Sequence, residues 1–208
     1  MWVNKHLLLW SISISITVLT TATFFYPGGS QQDANAVGYS WQHNYLCNLF
    51  NEKAINGVEN GAKYIAIVGL LLLCVSFALF FYRFSLKIQD KKAANVIKYA
   101  GIGTMFFSAF APTSYHDSVT TVSSTLGLLA LFYILVFVFR SKLTLFKLLT
   151  LVTMLLLYVN NYVYYSQQGL YFLPILQKIT IFIILVLMLS LDYFTTKEDF
   201  APSVKHKS

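Results

Sequence analysis

The chain has 208 residues, of which 57% are apolar, 17% are aromatic and only 11% are charged, and its formal net charge is +7. A composition this apolar is typical of a membrane protein and leaves no room for a soluble domain with a core of its own. A basic cytoplasmic rim beside anionic lipids accounts for the positive charge. We therefore expect membrane lipids, and no nucleic acid, as partners.

Six segments are long and apolar enough to cross a bilayer, which takes about 20 residues per helix. They cover residues 6–26, 62–82, 95–114, 119–139, 143–165 and 171–193. The pattern predicts an all-α, polytopic protein with one transmembrane domain over residues 1–208, a six-transmembrane-helix bundle. The first segment also resembles a secretory signal peptide, but its apolar stretch of about 20 residues and its poor cleavage site favour a membrane anchor.

The connection over residues 27–61 is the one long loop, and it begins with a turn at Pro27 and two glycines. Over residues 41–52, apolar side chains occupy one half of a helical wheel and polar side chains the other half. This pattern predicts a short outer amphipathic helix that lies flat in the interface or covers the bundle as a lid. Its polar face, with His43, Asn44 and Cys47, then contacts either headgroups and water or a site on top of the bundle.

The distribution of lysine and arginine predicts the orientation, because cytoplasmic loops retain positive charge. Twelve of the 15 basic residues fall at the amino terminus, in the second-to-third and fourth-to-fifth connections, and in the carboxyl-terminal tail. We expect both termini in the cytoplasm and the 27–61 loop outside, in the cell (inner) membrane.

The segment SAFAPTSYHDSVTTVSS, residues 108–124, joins two apolar runs. Pro112 is expected to end the third helix, and Ser114 or Asp117 to cap the fourth. Asp117, Thr121 and Ser124 follow at helical spacing and predict a polar stripe that either holds helices together or faces a site.

Two polar features in later spans are expected at the same depth. Asn160 and Asn161 stand among tyrosines typical of an interfacial aromatic belt, and one asparagine should face the bundle. Lys178 is followed by too few apolar residues to cross the bilayer, so it should lie roughly 10 Å below the outer end of its helix. There it either extends to the interface or pairs with a buried acid, for which Asp117 is the candidate.

A zinc site is one interpretation of these residues. His43, His116 and Asp117 offer three ligands, with Cys47 as an alternative to complete the set. Their spacing is not distinctive, and a Ser–His–Asp triad from adjacent residues rarely attains the required geometry.

The stretches YPGGS, GYSWQHNYLCNLFN and FAPTSYHDSVTTVSS resemble a prokaryotic six-helix membrane protein family known as a domain of unknown function, which is loosely similar to the DRAM-like proteins. The shared positions are Pro27, Gly28, Ser40, Trp41, Asn44, Tyr45, Leu46, Cys47, Pro112 and His116. The resemblance implies six helices and carries no activity with it.

A distant, partial similarity to alkaline ceramidase-like membrane hydrolases rests on Ser108, His116 and Asp117. It implies metal-dependent hydrolysis of lipids. The chain departs from that pattern because it has no seventh helix and no late HxxxH motif.

We therefore expect a protein that binds or senses a lipid headgroup or a small anion in an outward-facing polar pocket. The ligand-binding residues of this hypothesis are His43, Asn44, Cys47, His116, Asp117, Asn160, Asn161 and Lys178. A metal-dependent membrane hydrolase acting on lipids, with zinc as cofactor, is the alternative. A structural or assembly protein is the second alternative, and homo-oligomerisation stays open in each case.

Overall fold

The computed structural model describes residues 6–201 and shows an all-helical chain over that range. The six α-helices are α1 Leu7–Thr23, α2 Lys63–Ser85, α3 Lys91–Ser108, α4 His116–Arg140, α5 Thr144–Ser166 and α6 Leu173–Phe194. Short 3-10 helices cover Leu46–Phe50, Leu170–Phe172 and Glu198–Phe200. No β-strand occurs in this part of the chain, where two isolated bridges within the long loop are the only β pairing. The all-α prediction is confirmed.

Four of the described helices, α2, α4, α5 and α6, are long and apolar enough to cross a membrane. α1 is equally apolar but has only 17 residues. α3 begins with two lysines and contains a third, Lys98. By length and composition, then, four spans are supported, which is the pattern of an integral membrane protein.

The start of α3 lies four residues before its predicted start at 95. Asp90 caps the helix, because its Oδ1 accepts hydrogen bonds from the backbone N–H groups of Lys92 at 2.9 Å and Ala93 at 3.1 Å. α3 also ends early, at Ser108, and a run of turns containing Pro112 leads into α4. The predicted segment 95–114 therefore placed the helix too late at both ends.

Consecutive helices pack against each other from α1 to α6, and α6 returns to contact α2 and α1, so the helices form a ring. Hereafter the loop end is the end of the ring that carries residues 24–62 and the first residues of α2, α4 and α6. The opposite end carries the connections 86–90 and 141–143 and the last residues of α6.

The opposite end of the ring is closely packed. Its core includes Leu8 and Ile12 from α1, Phe80 and Phe84 from α2, and Leu191 from α6, all at most 1% exposed. In this core a glycine lets α3 approach α2, since any Cβ at Gly101 would overlap the ring of Phe81.

Charged groups join α2 and the segment that follows it to the last turn of α6. Lys87 Nζ donates hydrogen bonds to the carbonyl oxygens of Leu191 at 2.8 Å, Asp192 at 3.0 Å and Thr195 at 2.8 Å. The last carbonyls of a helix lack backbone N–H partners, so the lysine caps the carboxyl end of α6, together with the Thr195 hydroxyl, which donates to Leu191 O at 2.6 Å. Arg83 Nε lies 3.1 Å from Asp192 Oδ1, whose side chain is only 3% exposed.

The outer amphipathic helix predicted over residues 41–52 does not form, and only Leu46–Phe50 is helical there, as a 3-10 helix. Asparagine side chains bind backbone groups that an α-helix would use. Asn48 Oδ1 accepts from the Tyr45 N–H at 2.7 Å. The Asn60 amide donates to the carbonyls of Asn48, Leu49 and Asn51.

The loop begins with the predicted turn at Gly28 and Gly29. Both glycines have positive φ angles, +147° and +80°, which side-chain-bearing residues rarely adopt. The loop then folds back over the ring, where Leu49 and Phe50 pack with Ala22, Ala62 and Ala66 from the two helices that flank it. The long loop is thus a packed cover on the ring.

Candidate functional site

A cavity of about 530 Å³ lies inside the ring at the loop end, and we call it the outer cavity. All six helices contribute to its walls, and Leu46 and other loop residues cover it. Five of the eight predicted site residues line it: Cys47, His116, Asn160, Asn161 and Lys178.

His116 is the first residue of α4, directly after the turns that connect α3 to α4, and its side chain lines the cavity. Its Nδ1 lies 2.9 Å from the carbonyl oxygen of Ala111, which fixes the orientation of the ring. Within residues 6–201 the second ring nitrogen makes no hydrogen bond. That nitrogen is therefore available to a ligand.

Asn160 and Asn161 both line the cavity, whereas the sequence predicted that one of them would face the bundle. Asn160 donates its amide N–H groups to Leu156 O at 3.0 Å and to the hydroxyl of Thr180. Asn161 donates to Leu157 O at 2.8 Å. The side-chain carbonyl oxygens of both residues are not used by any hydrogen bond in the described part of the chain, so they can accept one from a ligand.

Lys178 joins α6 to the loop. Its Nζ donates to the carbonyl oxygen of Asn44 at 2.5 Å and to that of Pro174 at 3.0 Å. On the preceding residue, Gln177 Oε1 accepts a hydrogen bond from the Leu46 N–H at 3.0 Å. These two side chains hold the loop across the mouth of the cavity, and we call them the clamp.

The predicted pairing of Lys178 with Asp117 is wrong. Asp117 is exposed on the first turn of α4, where its Oδ1 accepts a hydrogen bond from the hydroxyl of Tyr164 at 2.6 Å. It does not cap α4 either, because that helix begins one residue earlier without a side-chain cap. The carboxylate therefore connects α4 to α5 outside the cavity.

Two predicted loop ligands also lie outside the cavity walls. The ring of His43 packs 6.2 Å from that of Tyr171, and its buried Nε2 has no hydrogen-bond partner in the described structure. The buried side chain of Asn44 accepts from the Ser40 N–H and donates to Gly29 O, both at 2.9 Å. Asn44 therefore stabilises the loop fold and keeps only its backbone carbonyl for Lys178.

The predicted zinc ligands His43, His116 and Asp117 are not brought together. No group of three or more histidine, cysteine, aspartate or glutamate side chains within residues 6–201 is placed to hold a metal ion. His116 and Asp117 are consecutive on a helix, so their side chains diverge by about 100°. One faces the cavity and the other faces α5.

Cys47 lines the cavity but is poorly reactive. Burial raises the pKa of its thiol to about 11, and the nearby Lys178 offsets this only in part. Because the thiolate is the nucleophile and the metal ligand, a thiol with such a pKa is nearly inert at neutral pH.

Sequence reasoning missed a second cavity of about 350 Å³, which extends from the outer cavity towards the opposite end and which we call the inner chamber. Its walls are mainly apolar and include Phe80, Leu131, Ile134, Met188 and Leu191. A chamber of this kind leaves no mark in one sequence, because its lining residues have the same apolar composition as a packed core.

The two cavities share a set of mostly polar lining residues, which we call the collar. The collar consists of Ser108, Thr120, Ser123, Ser124, Asn160, Gln177 and Ile181. Ser108 Oγ and Ser123 Oγ lie 2.6 Å apart across the α3–α4 contact. Thr120 and Gln177 were not predicted as site residues, although each is a polar side chain within a membrane-type helix, which is the signal that would have identified them.

Comparisons of the chain with protein-family models, with curated proteins and with solved structures gave no significant match. The resemblance to the six-helix family stays a prediction. The fold and the cavities define the class: an all-helical chain with four membrane-type helices and two adjoining interior cavities, both with mainly apolar walls, of which the outer one also carries several polar side chains.

Proposed function

We propose that all six helices cross the membrane, with the loop end outside and the opposite end in the cytoplasm. The 17 residues of α1 span about 26 Å, close to the thickness of the hydrocarbon core. Basic residues at or near the opposite end support this orientation. They are Arg83, Lys87, Lys91, Lys92, Lys98, Arg140, Lys142, Lys147 and Lys197. Lys5, Lys205 and Lys207, which also entered the sequence prediction, lie outside the described residues.

Within that frame, the protein binds an amphiphilic lipid in the two connected cavities. The observation that carries this proposal is the collar, whose residues line both cavities, so that a cavity with polar groups adjoins an apolar chamber. A headgroup in the outer cavity can bind the free nitrogen of His116 and the side-chain oxygens of Asn160 and Asn161. A hydrocarbon chain in the inner chamber removes apolar surface from contact with water.

The charge of the outer cavity favours an anionic headgroup. Lys178 is the one lysine or arginine among its described lining residues, and no aspartate or glutamate lines it. The first turns of α4 and α6 contribute His116 and Leu173 to the same walls. Helix amino termini carry partial positive charge, so both helices add to the potential that attracts an anion.

A lipid fits these cavities better than a small water-soluble anion does. A small anion would use the outer cavity and leave the inner chamber without a role. The inner chamber reaches Leu191, 14 residues beyond Gln177 on α6, which corresponds to about 21 Å of helix. That depth suits a hydrocarbon chain that lies parallel to the helices.

The test is native mass spectrometry of the protein purified in mild detergent, which should show a retained lipid. Leu131→Trp fills the inner chamber and should abolish retention. Leu129→Trp is the matched control on the outer face of the same helix, where Leu129 is 43% exposed, and should retain the lipid. Wild-type protein that retains no lipid, or equal retention by the two variants, would contradict the proposal.

A further inference from the structure

Three residues line the outer cavity and are also exposed. Trp41, 52% exposed, belongs to the loop, whereas the other two lie on helices: Ile16 of α1, which is 40% exposed, and Phe182 of α6, which is 63% exposed. An exposed side chain that also lines the cavity lies where the cavity wall is thin or open. The two helix residues therefore mark a side opening of the cavity between α1 and α6, which we call the window.

The window lies at membrane depth. Ile16 is seven residues from the end of α1 at Thr23, which corresponds to about 10 Å below the loop end. Phe182 is nine residues from the start of α6 at Leu173, about 13 Å below the same end. Both positions fall within the outer half of a hydrocarbon core about 30 Å thick.

α1 and α6 make few contacts with each other. At the opposite end of the ring, core side chains fill the space between the two helices. There Leu8 and Ile12 of α1 share the core with Leu187 and Leu191 of α6. At the loop end the loop lies between the two helices. Between these closures, Ile16 and Phe182 are the exposed lining residues of α1 and α6.

The route from the water phase is closed by specific bonds. Lys178 and Gln177 of the clamp fasten the loop to α6, and the Asn60 amide binds three carbonyl groups across the same loop. A ligand that enters by opening the loop must break these bonds, whereas a ligand that enters at the window has to displace only apolar side chains, Ile16 and Phe182 among them.

We propose that the cavity is filled sideways, through the window between α1 and α6, by an anionic lipid of the outer leaflet. This inference rests on the proposed function and names the source of its ligand. A free anion such as inorganic phosphate has no route through the hydrocarbon, so the window selects for molecules already dissolved in the membrane.

The experiment uses the full chain in nanodiscs that initially lack the probe, which is a phosphatidic acid with a photoreactive group on its acyl chain. The measured quantity is the initial rate at which light-induced labelling of cavity residues appears after the probe is added from donor vesicles. Ile16→Trp should lower this rate at least tenfold. Ile14→Trp is the matched control, because Ile14 is 54% exposed on the same helix and does not line the cavity, and it should leave the rate within twofold.

Phe182→Ala removes bulk from the window instead of adding it and should raise the rate, which separates blockage from a folding defect in Ile16→Trp. Wild-type cavity labelling with equal rates for Ile16→Trp and Ile14→Trp would overturn the window and leave lipid binding intact. No cavity labelling of the wild-type protein would overturn the proposed function itself. A rate that rises with Lys178→Met would assign the route to the loop and reject the window.

Discussion

Replacing Lys178 with methionine should loosen the loop that covers the outer cavity. The bond that matters is the one from Lys178 Nζ to Asn44 O, because the second bond, to Pro174 O, lies within α6. Tyr39 also donates its hydroxyl to Asn44 O at 3.3 Å, so that carbonyl is not left without a partner in the variant. The expected cost is therefore the bond itself, without a further penalty for a buried unpaired group.

A hydrogen bond from a charged donor contributes about 2 kcal/mol, and a neutral one about 1 kcal/mol. If loop opening precedes the reaction of a buried group, Lys178→Met should raise the rate of that reaction about 30-fold. Gln177→Leu, which removes the neutral bond to the Leu46 N–H, should raise it about fivefold. The ratio of the two rate increases tests whether the positive charge of Lys178 strengthens its hydrogen bond to Asn44 O.

The assay is the rate of alkylation of Cys47 by N-ethylmaleimide at constant pH, in a Cys74→Ala background so that a single described thiol reports. Burial holds the pKa of the Cys47 thiol at about 11, and opening of the loop removes that burial. Lys63→Met is the control lysine, since its partner Glu52 is 86% exposed, so that the pair contributes little, and neither residue lines the cavity. An unchanged rate in Lys178→Met would refute the clamp.

Three further outcomes follow from polar contacts outside the cavity. Burial lowers the pKa of Lys87 to about 8, so between about pH 8 and the ordinary lysine pKa the unfolded chain binds more protons than the folded protein does. The stability of the protein in detergent should therefore rise with pH over that range, and the rise should disappear in Lys87→Met. Arg83→Leu leaves the carboxylate of Asp192 buried without its cation and should cost about 3 kcal/mol, whereas the double variant with Asp192→Leu should recover most of the loss in a thermal melt. Asp117→Asn should lower stability by about 1 kcal/mol, with coupling to Tyr164→Phe in a double-mutant cycle and no change in lipid retention, and a loss of retention would return Asp117 to the site.

The helices were predictable because their apolar runs are longer than any core helix of a small soluble domain requires. What failed were the ends of α3 and the amphipathic helix of the loop. In both cases short polar side chains bind backbone groups locally. Asp90 starts α3 early, and Asn48 and Asn60 use the amide and carbonyl groups that a regular helix over residues 41–52 would need. Hydropathy and helical periodicity do not register these local bonds.

Part of the candidate site was predictable, but the contacts within it were not. Asn160, Asn161, His116 and Lys178 line the same cavity, as the sequence predicted. The partner of Lys178 could not be deduced, because a backbone carbonyl such as that of Asn44 has no signature in the sequence. Asp117 was the acid that the sequence favoured as the partner, while the structure satisfies the lysine with the carbonyl oxygens of Asn44 and Pro174.

The clamp and the window make the two routes into the cavity separable by mutation. The clamp consists of hydrogen bonds, so changes at Lys178 should alter access for reagents dissolved in water and leave the packing between α1 and α6 unchanged. The window consists of two apolar side chains, so changes at Ile16 should alter access for lipids and leave the reactivity of Cys47 unchanged. If both kinds of change altered both rates, α1, the loop and α6 would open together in one motion. The clamp and the window would then not be separate routes.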